Sequence, residues 1–260
     1  MRYCKFEADG VAQYALVEER NGEPWAVKGM AAPEEDALAA SGSFEPKPLA
    51  KLTLLAPVKP SKIVCIGRNY KEHAAEMGND VPKEPLLFLK APSSLLAPGA
   101  KIRRPAQSQR VDFEGELGIV IGKRCYQIGP DEDVRQYIRG YTCVNDVTAR
   151  DLQKSDGQWS RAKGFDTFCP VGPVVTDEIE PLRGSVGVST QLNGETKQKG
   201  ATRDLIFPIA ELLRYITAAM TLEPGDLIST GTPAGVGPMQ SGDVVRVTVE
   251  GIGSLENTVV

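Results

Sequence analysis

Two glutamates stand one residue apart in the apolar run VDFEGELGIVIG, residues 111–122. Read with a period of two, Val111, Phe113, Leu117, Ile119 and Ile121 make one apolar strand face. Glu114 and Glu116 share the other face with Asp112. Two carboxylates that close repel each other unless water solvates them, a cation sits between them, or one keeps its proton. On this stretch alone all three remain open, since a half-exposed antiparallel strand would solvate them. The chain's one histidine adds a second piece. His73 precedes Glu76 by three residues in NYKEHAAEMG, so on a helix the pair shares a face and the carboxylate can hold and polarise the imidazole. Lys71 and Glu72 beside it fit a plain polar helix equally well. Asp146 closes the apolar run YTCVND, where loops build sites, although a helix N-cap would use an aspartate there too. Lys163 precedes a glycine, where backbone can approach a ligand, and STGTPAGVG offers Thr230, Thr232 and backbone N–H groups to an anion.

What is missing narrows the chemistry. One histidine rules out a zinc site built on two or three imidazoles of one chain. There is no nucleophile elbow, no phosphate-binding P-loop and no dinucleotide fingerprint. A net charge of −4, from 30 basic and 34 acidic residues, argues against nucleic acid as the main partner. No apolar run is long enough to span a membrane, and the opening MRYCKFEADG does not read as a secretory leader. Five cysteines without C-x-x-C spacing read as reduced, mostly buried thiols, so a cytoplasmic protein is expected.

The elements that must position these groups are mostly strands. Residues 1–30 read as a small β-meander with Asp-Gly and Asn-Gly hairpin signals. Residues 31–60, rich in Ala, Pro and Ser, read as a linker with one short strand. This divides the chain into a small N-terminal β-rich domain with its linker, 1–58, and a main domain, 59–260. In the main domain KIVCIG is a strand, followed by a short helix from about Tyr70 to Met77 that Gly78 stops. PDEDVRQYIRG reads as a helix with Pro130 in its first turn. YTCVNDV is a strand, and FPIAELLRYITAAM is the longest helix, apolar at Ile209, Leu212, Leu213 and Ile216. DLISTGTPAGVG runs from a strand into a Gly-rich loop, and DVVRVTVEGIGSLENTVV is a closing hairpin. An α+β, β-rich class follows, without the alternation of a doubly wound fold.

Taken together, IGRNYKEHAAE, EPLLFLKAPSS, DFEGELGIVIG, NDVTARDLQ, AKGFDTFCPVGP and TGTPAGVG, in that order, resemble the fumarylacetoacetate hydrolase superfamily. The resemblance runs from about Ile63 to the end, and the first sixty residues resemble the small N-terminal domain of many bacterial members. It implies the family's mixed β-sandwich roll, as a homodimer. It also implies that Glu114, Glu116 and Asp146 hold a divalent cation, Mg²⁺ or Mn²⁺, and that His73 with Glu76 is the general base. Lys163 falls on a catalytic and substrate-binding position. Arg150, Gln153 and Thr232 fall on positions that bind the substrate's acidic groups and oxygens, and Arg68, Lys90 and Gly164 lie in the matching motifs as further substrate contacts. One departure matters: true fumarylacetoacetases carry another metal-binding carboxylate seven residues before the histidine, and here that position is Ile66. The pattern is closer to acylpyruvate hydrolases, oxaloacetate decarboxylases and the isomerases of aromatic catabolism.

The expected activity is metal-dependent C–C cleavage of a small β-keto or β-diketo α-keto acid, by acylpyruvate hydrolysis or oxaloacetate decarboxylation. Isomerisation or decarboxylation of 2-hydroxymuconate-type dienoates is the alternative within the same site. The partner expected is a small dicarboxylate or keto acid, with no nucleic acid and no membrane. The segment QKSDGQWSRAKG, 153–164, is expected to form a lid, with Trp159 or Phe165 excluding water. A non-catalytic metal- or metabolite-binding protein would keep the carboxylates without needing a His–Glu pair, and a thiol enzyme would need a cysteine beside His73.

Overall fold

The computed structural model describes residues 1–33, 44–76, 78 and 80–260. The hairpin signals are used as expected. Asp9-Gly10 and Asn21-Gly22 both take positive φ and join the strands Arg2–Ala8, Val11–Arg20 and Glu23–Met30. This meander is continuous with the main sheet, because Arg2 and Tyr3 pair with Thr176 and Val175 on Cys169–Thr176. Thr53–Leu55, the short strand expected in the linker, pairs with Arg2–Ala8. Residues 34–43 of that linker lie outside the described residues.

From Cys169–Thr176 the main sheet continues through Ile138–Asn145, Gly115–Ile121, Leu227–Ser229, Ile63–Gly67 and Leu86–Lys90. A second sheet of five strands runs Glu195–Ala201, Gly187–Leu192, Val244–Val249, Gly253–Val259 and Lys101–Ile102. The two sheets share a core. Leu117, Ile119 and Ile121 of the first meet Val188, Val247, Val249 and Leu255 of the second. The helix Ile209–Ala219 adds Ile209, Leu212, Leu213 and Ile216 to this core, its expected apolar face. The odd positions of the acidic run therefore face a core as the alternation requires. The even face is not solvated: every residue of Gly115–Ile121 is buried, which removes the bland explanation for the glutamates.

Two local expectations are corrected. PDEDVRQYIRG is not an α-helix; only a single 3₁₀ turn, Val134–Tyr137, forms, capped by the Asp133 carboxylate. The chain then becomes the strand Ile138–Asn145, rich in β-branched and aromatic residues. Gly140 lets that strand approach its neighbour, since a Cβ there would lie 2.7 Å from the Thr176 carbonyl oxygen. The acidic run is also not one strand. It breaks at Glu114 between Val111–Phe113, which belongs to a small three-stranded sheet, and Gly115–Ile121. The helix near His73 spans Lys71–Glu76, and Gly78 beyond it has φ +67°. Among the described residues no helix is long and apolar enough to cross a membrane.

Candidate active site and carboxylate cluster

The break at Glu114 gives the cluster its geometry. The Glu114 amide donates to Asn145 Oδ1 at 2.9 Å, and its carbonyl accepts from the Asp146 amide at 2.8 Å. Two chain ends, the start of Gly115–Ile121 and the end of Ile138–Asn145, are thus stapled side by side. Carboxylate oxygens of Glu114, Glu116 and Asp146 come within 4.8 Å of one another. All three residues are buried. Asp146 does not cap the helix Arg150–Ser155; its carboxylate faces the cluster instead.

Charge balance inside the cluster is specific. Asp146 accepts from Lys90 Nζ at 2.7 Å on one oxygen and from Lys163 Nζ on the other. Lys163 Nζ also donates to Glu114 Oε2 at 2.8 Å, and Arg150 holds the second Glu114 oxygen. Burial opposes ionisation of Glu114, but Lys163, Arg150 and His73 outweigh it and hold its carboxyl well below the usual range. The same balance raises Lys163: burial disfavours its charge, and Asp146 and Glu114 more than restore it. Glu116 is different. It accepts from Ser229 Oγ at 2.6 Å and from the Gly231 amide at 2.7 Å, both on Oε2. Burial, then repulsion from Asp146 and Glu114, pushes its carboxyl up to about 8. The repulsion between the two glutamates is thus relieved by their surroundings: Glu114 is paired with cations and Glu116 favours its proton.

The donor set fits a hard divalent cation. Three carboxylates converge, an ammonium already bridges Glu114 and Asp146, and Glu116 Oε1 has no protein donor among the described residues. Oxygen ligands of this kind with positions left for water or substrate suit Mg²⁺ or Mn²⁺.

A cavity of about 50 Å³ opens onto the cluster, lined also by Arg68, His73, Phe88, Gln153, Trp159 and Thr232. His73 Nδ1 lies 3.3 Å from Glu76 Oε2, so Nε2 is the ring nitrogen left for the cavity. Glu76 is partly exposed and accepts from the Gly235 amide at 3.1 Å. The structure brings His73 and Glu76 together, with Glu76 behind the imidazole and outside the lining. Arg68 takes φ +58°, a left-handed conformation that few arginines adopt.

Some residues named from sequence occupy other places. Lys90 and Gly164 do not line the cavity. The Lys90 ammonium lies behind Asp146, bonded also to the Val147 carbonyl. Arg150 lines the cavity but spends its nitrogens on Asp112, Glu114 and Gln153, so it organises the wall. Trp159 covers the cavity, packed edge-on against Phe88 with ring centroids 5.2 Å apart and so close to Gly67 that a Cβ there would lie 2.8 Å from its ring. Phe165 instead pairs with Phe168 in a separate apolar cluster. All five cysteines are buried and burial raises every thiol, so none is a ready nucleophile.

Sequence reasoning missed the amides and hydroxyls that hold this frame. Asn69 bonds the Thr230 carbonyl and both backbone groups of Phe207, Asn145 fixes Glu114, and Ser229 fixes Glu116. Asn69 and Asn145 lie beside Arg68 and Asp146 in motifs already singled out, and that adjacency was the available signal.

Similar proteins match this chain over most of its length. Protein Rv2993c of Mycobacterium tuberculosis is 47% identical over 97% of this chain and 95% of its own. Oxaloacetate tautomerase YisK of Bacillus subtilis is 43% identical over 81% of this chain and 74% of its own. The crystal structure of 5-carboxymethyl-2-hydroxymuconate delta-isomerase from Mycobacterium smegmatis superposes with a TM-score of 0.88 at 40% identity, covering 100% of this chain and 99% of that one. The model of the fumarylacetoacetate hydrolase C-terminal region matches residues 62–260, the stretch that carries every residue of the cluster and of the His73–Glu76 pair, and the chain is therefore an enzyme of the fumarylacetoacetate hydrolase family.

Proposed function

We propose that this enzyme moves a proton at the carbon beside the keto group of a small 2-oxo dicarboxylate, interconverting keto and enol forms with a divalent cation in the carboxylate cluster. The observation that carries this reading is the placement of a carboxylate-held imidazole, His73, in the lining of the same small cavity as Glu114, Glu116 and Asp146. Mg²⁺ or Mn²⁺ held by those three carboxylates would supply Lewis-acid stabilisation of charge developing on a keto oxygen. His73 Nε2 would take the proton from carbon, while Glu76 fixes the Nδ1–H tautomer and stabilises the imidazolium. The same proton returns to oxygen, so no atom is lost or gained. Four buried carboxylates, Asp112 included, face the buried cations Lys90, Arg150 and Lys163. A dication turns that balance positive, and Arg68 in the lining adds to it, which favours a dianion. A cation in the cluster would also release the Lys163 ammonium to meet a substrate carboxylate.

The names of the relatives support proton transfer, since one is called an oxaloacetate tautomerase and another an isomerase. C–C cleavage, by hydrolysis of an acylpyruvate or decarboxylation of oxaloacetate, is the second reading. It rests on the same His73–Glu76 pair, which in that case would deprotonate a water. Freshly dissolved enol oxaloacetate, followed by its enol absorbance while pyruvate is assayed in the same samples, separates the two. Proton transfer predicts metal-dependent loss of enol with pyruvate at the uncatalysed level. Pyruvate formed in step with enzyme concentration would overturn it in favour of cleavage.

A further inference from the structure

The strand Glu195–Ala201 has an exposed pattern with one inward exception, Gln198, which is fully buried. An amide at such a position is costly to bury unless it is bonded. Here it is bonded at both ends. Gln198 Oε1 accepts from the Gly115 amide at 3.0 Å, and Gly115 is the residue between the two cluster glutamates. Gln198 Nε2 donates to Thr232 Oγ1 and to the Pro233 carbonyl, both at 2.7 Å. The Gly115 N–H requires an oxygen opposite it and the Pro233 carbonyl requires a donor, so the orientation of the amide is fixed.

The loop that Gln198 grips serves both halves of the site. Gly231 N–H holds Glu116, Thr232 lines the cavity, and Gly235 N–H holds Glu76 behind His73. The grip is close packed. A Cβ at Gly235 would lie 1.9 Å from the Lys197 carbonyl oxygen, and one at Gly200 would lie 2.7 Å from Pro233 Cβ. We infer that Gln198 is a positioning residue: from outside the cavity it clasps the 231–235 loop to the Gly115 strand and so sets the spacing between the base pair and the carboxylate cluster.

The metal end has independent supports in Asn145, Ser229 and the Asp146 amide, so loss of the clasp should be felt at the loop. The inference rests on the proposed proton transfer only where turnover is read. Gln198→Met keeps the shape and removes the amide. Its kcat for enol oxaloacetate should fall on the order of tenfold or more, the scale of a sub-ångström misplacement, with KM changed by less than about threefold. Mn²⁺ affinity should stay within about twofold, and hydrogen exchange should quicken in 230–236 but not in 116–121. Val134→Ala, a core substitution remote from the loop, controls for general loss of stability, and Gln198→Leu, also apolar and without the amide, replaces Met if that variant does not fold. Unchanged exchange in 230–236, or an unchanged kcat in a folded Gln198→Met, would overturn the clasp. An inactive wild type with the exchange difference intact would instead overturn the proposed reaction and leave the clasp standing.

Discussion

A divalent cation entering the cluster would have to displace a proton from Glu116, which gives its binding a predictable pH dependence. In the ion-free protein the Glu116 carboxyl is raised to about 8 by burial and by the charges of Asp146 and Glu114. At pH 7 about nine-tenths of the molecules would then hold that proton, and a cation must expel it to use the carboxylate. Binding at pH 7 should therefore release close to one proton. The apparent Mn²⁺ affinity should rise about tenfold per pH unit below 8 and level off above it, a change on the order of a hundredfold between pH 6 and pH 9. Glu114 adds nothing to this slope, since its carboxyl lies well below the usual range and is ionised throughout. Titration calorimetry in two buffers of different ionisation enthalpy measures the released proton directly. Glu116→Gln should bind Mn²⁺ weakly and release none. An affinity flat from pH 6 to pH 8 would refute the reasoning, because Glu116 would then already be ionised or would not touch the ion.

The same raised carboxyl destabilises the chelated protein as pH climbs. The folded state holds a proton that the unfolded chain loses near 4.5, so stability falls from about pH 4.5 to 8 and is flat beyond; melting temperatures with and without Mn²⁺ should diverge over that window. Lys163→Met leaves Glu114 and Asp146 short of a buried partner and should cost about 3–5 kcal/mol in the chelated protein, with Mn²⁺ restoring more melting temperature than in the wild type. His73→Ala should lower turnover on the order of a hundredfold with Mn²⁺ affinity unchanged, and Glu76→Ala should cost less; wild-type rates in His73→Ala would place the base elsewhere. Gly231→Ala forces a side chain into φ +102° and 2.7 Å from Asn69 Cβ, so calorimetry should show Mn²⁺ bound about tenfold more weakly as the Gly231 N–H leaves Glu116.

The residues alone made the cluster conspicuous without deciding its role, and the family resemblance supplied the grouping of Glu114 and Glu116 with Asp146. Carboxylates at Glu114 and Glu116 interrupt an apolar run, and a lone His73 has a glutamate one helical turn away. The hairpins at Gly10 and Gly22 and the helix Ile209–Ala219 were legible for a related reason, since turn chemistry and periodicity are local. PDEDVRQYIRG misled because acids before a periodic segment resemble a helix start, while the pairing of Ile138–Asn145 with strands on both sides is tertiary and leaves no local mark. Lys90 was assigned to substrate on its motif, and only the fold shows its ammonium turned behind Asp146. Gln198, in the charged run ETKQKG, carried no signal, because what makes it distinctive is burial on an exposed strand.

A divalent cation in the cluster would have to displace the Lys163 ammonium that bridges Glu114 and Asp146. Anomalous diffraction from crystals of the protein loaded with Mn²⁺ and oxalate tests it most directly. One anomalous peak is expected within ligand distance of Glu114, Glu116 and Asp146, at about 2.0–2.3 Å, with Lys163 Nζ withdrawn from the carboxylates toward the oxalate. A peak elsewhere, or Lys163 still bridging Glu114 and Asp146 at full Mn²⁺ occupancy, would contradict it.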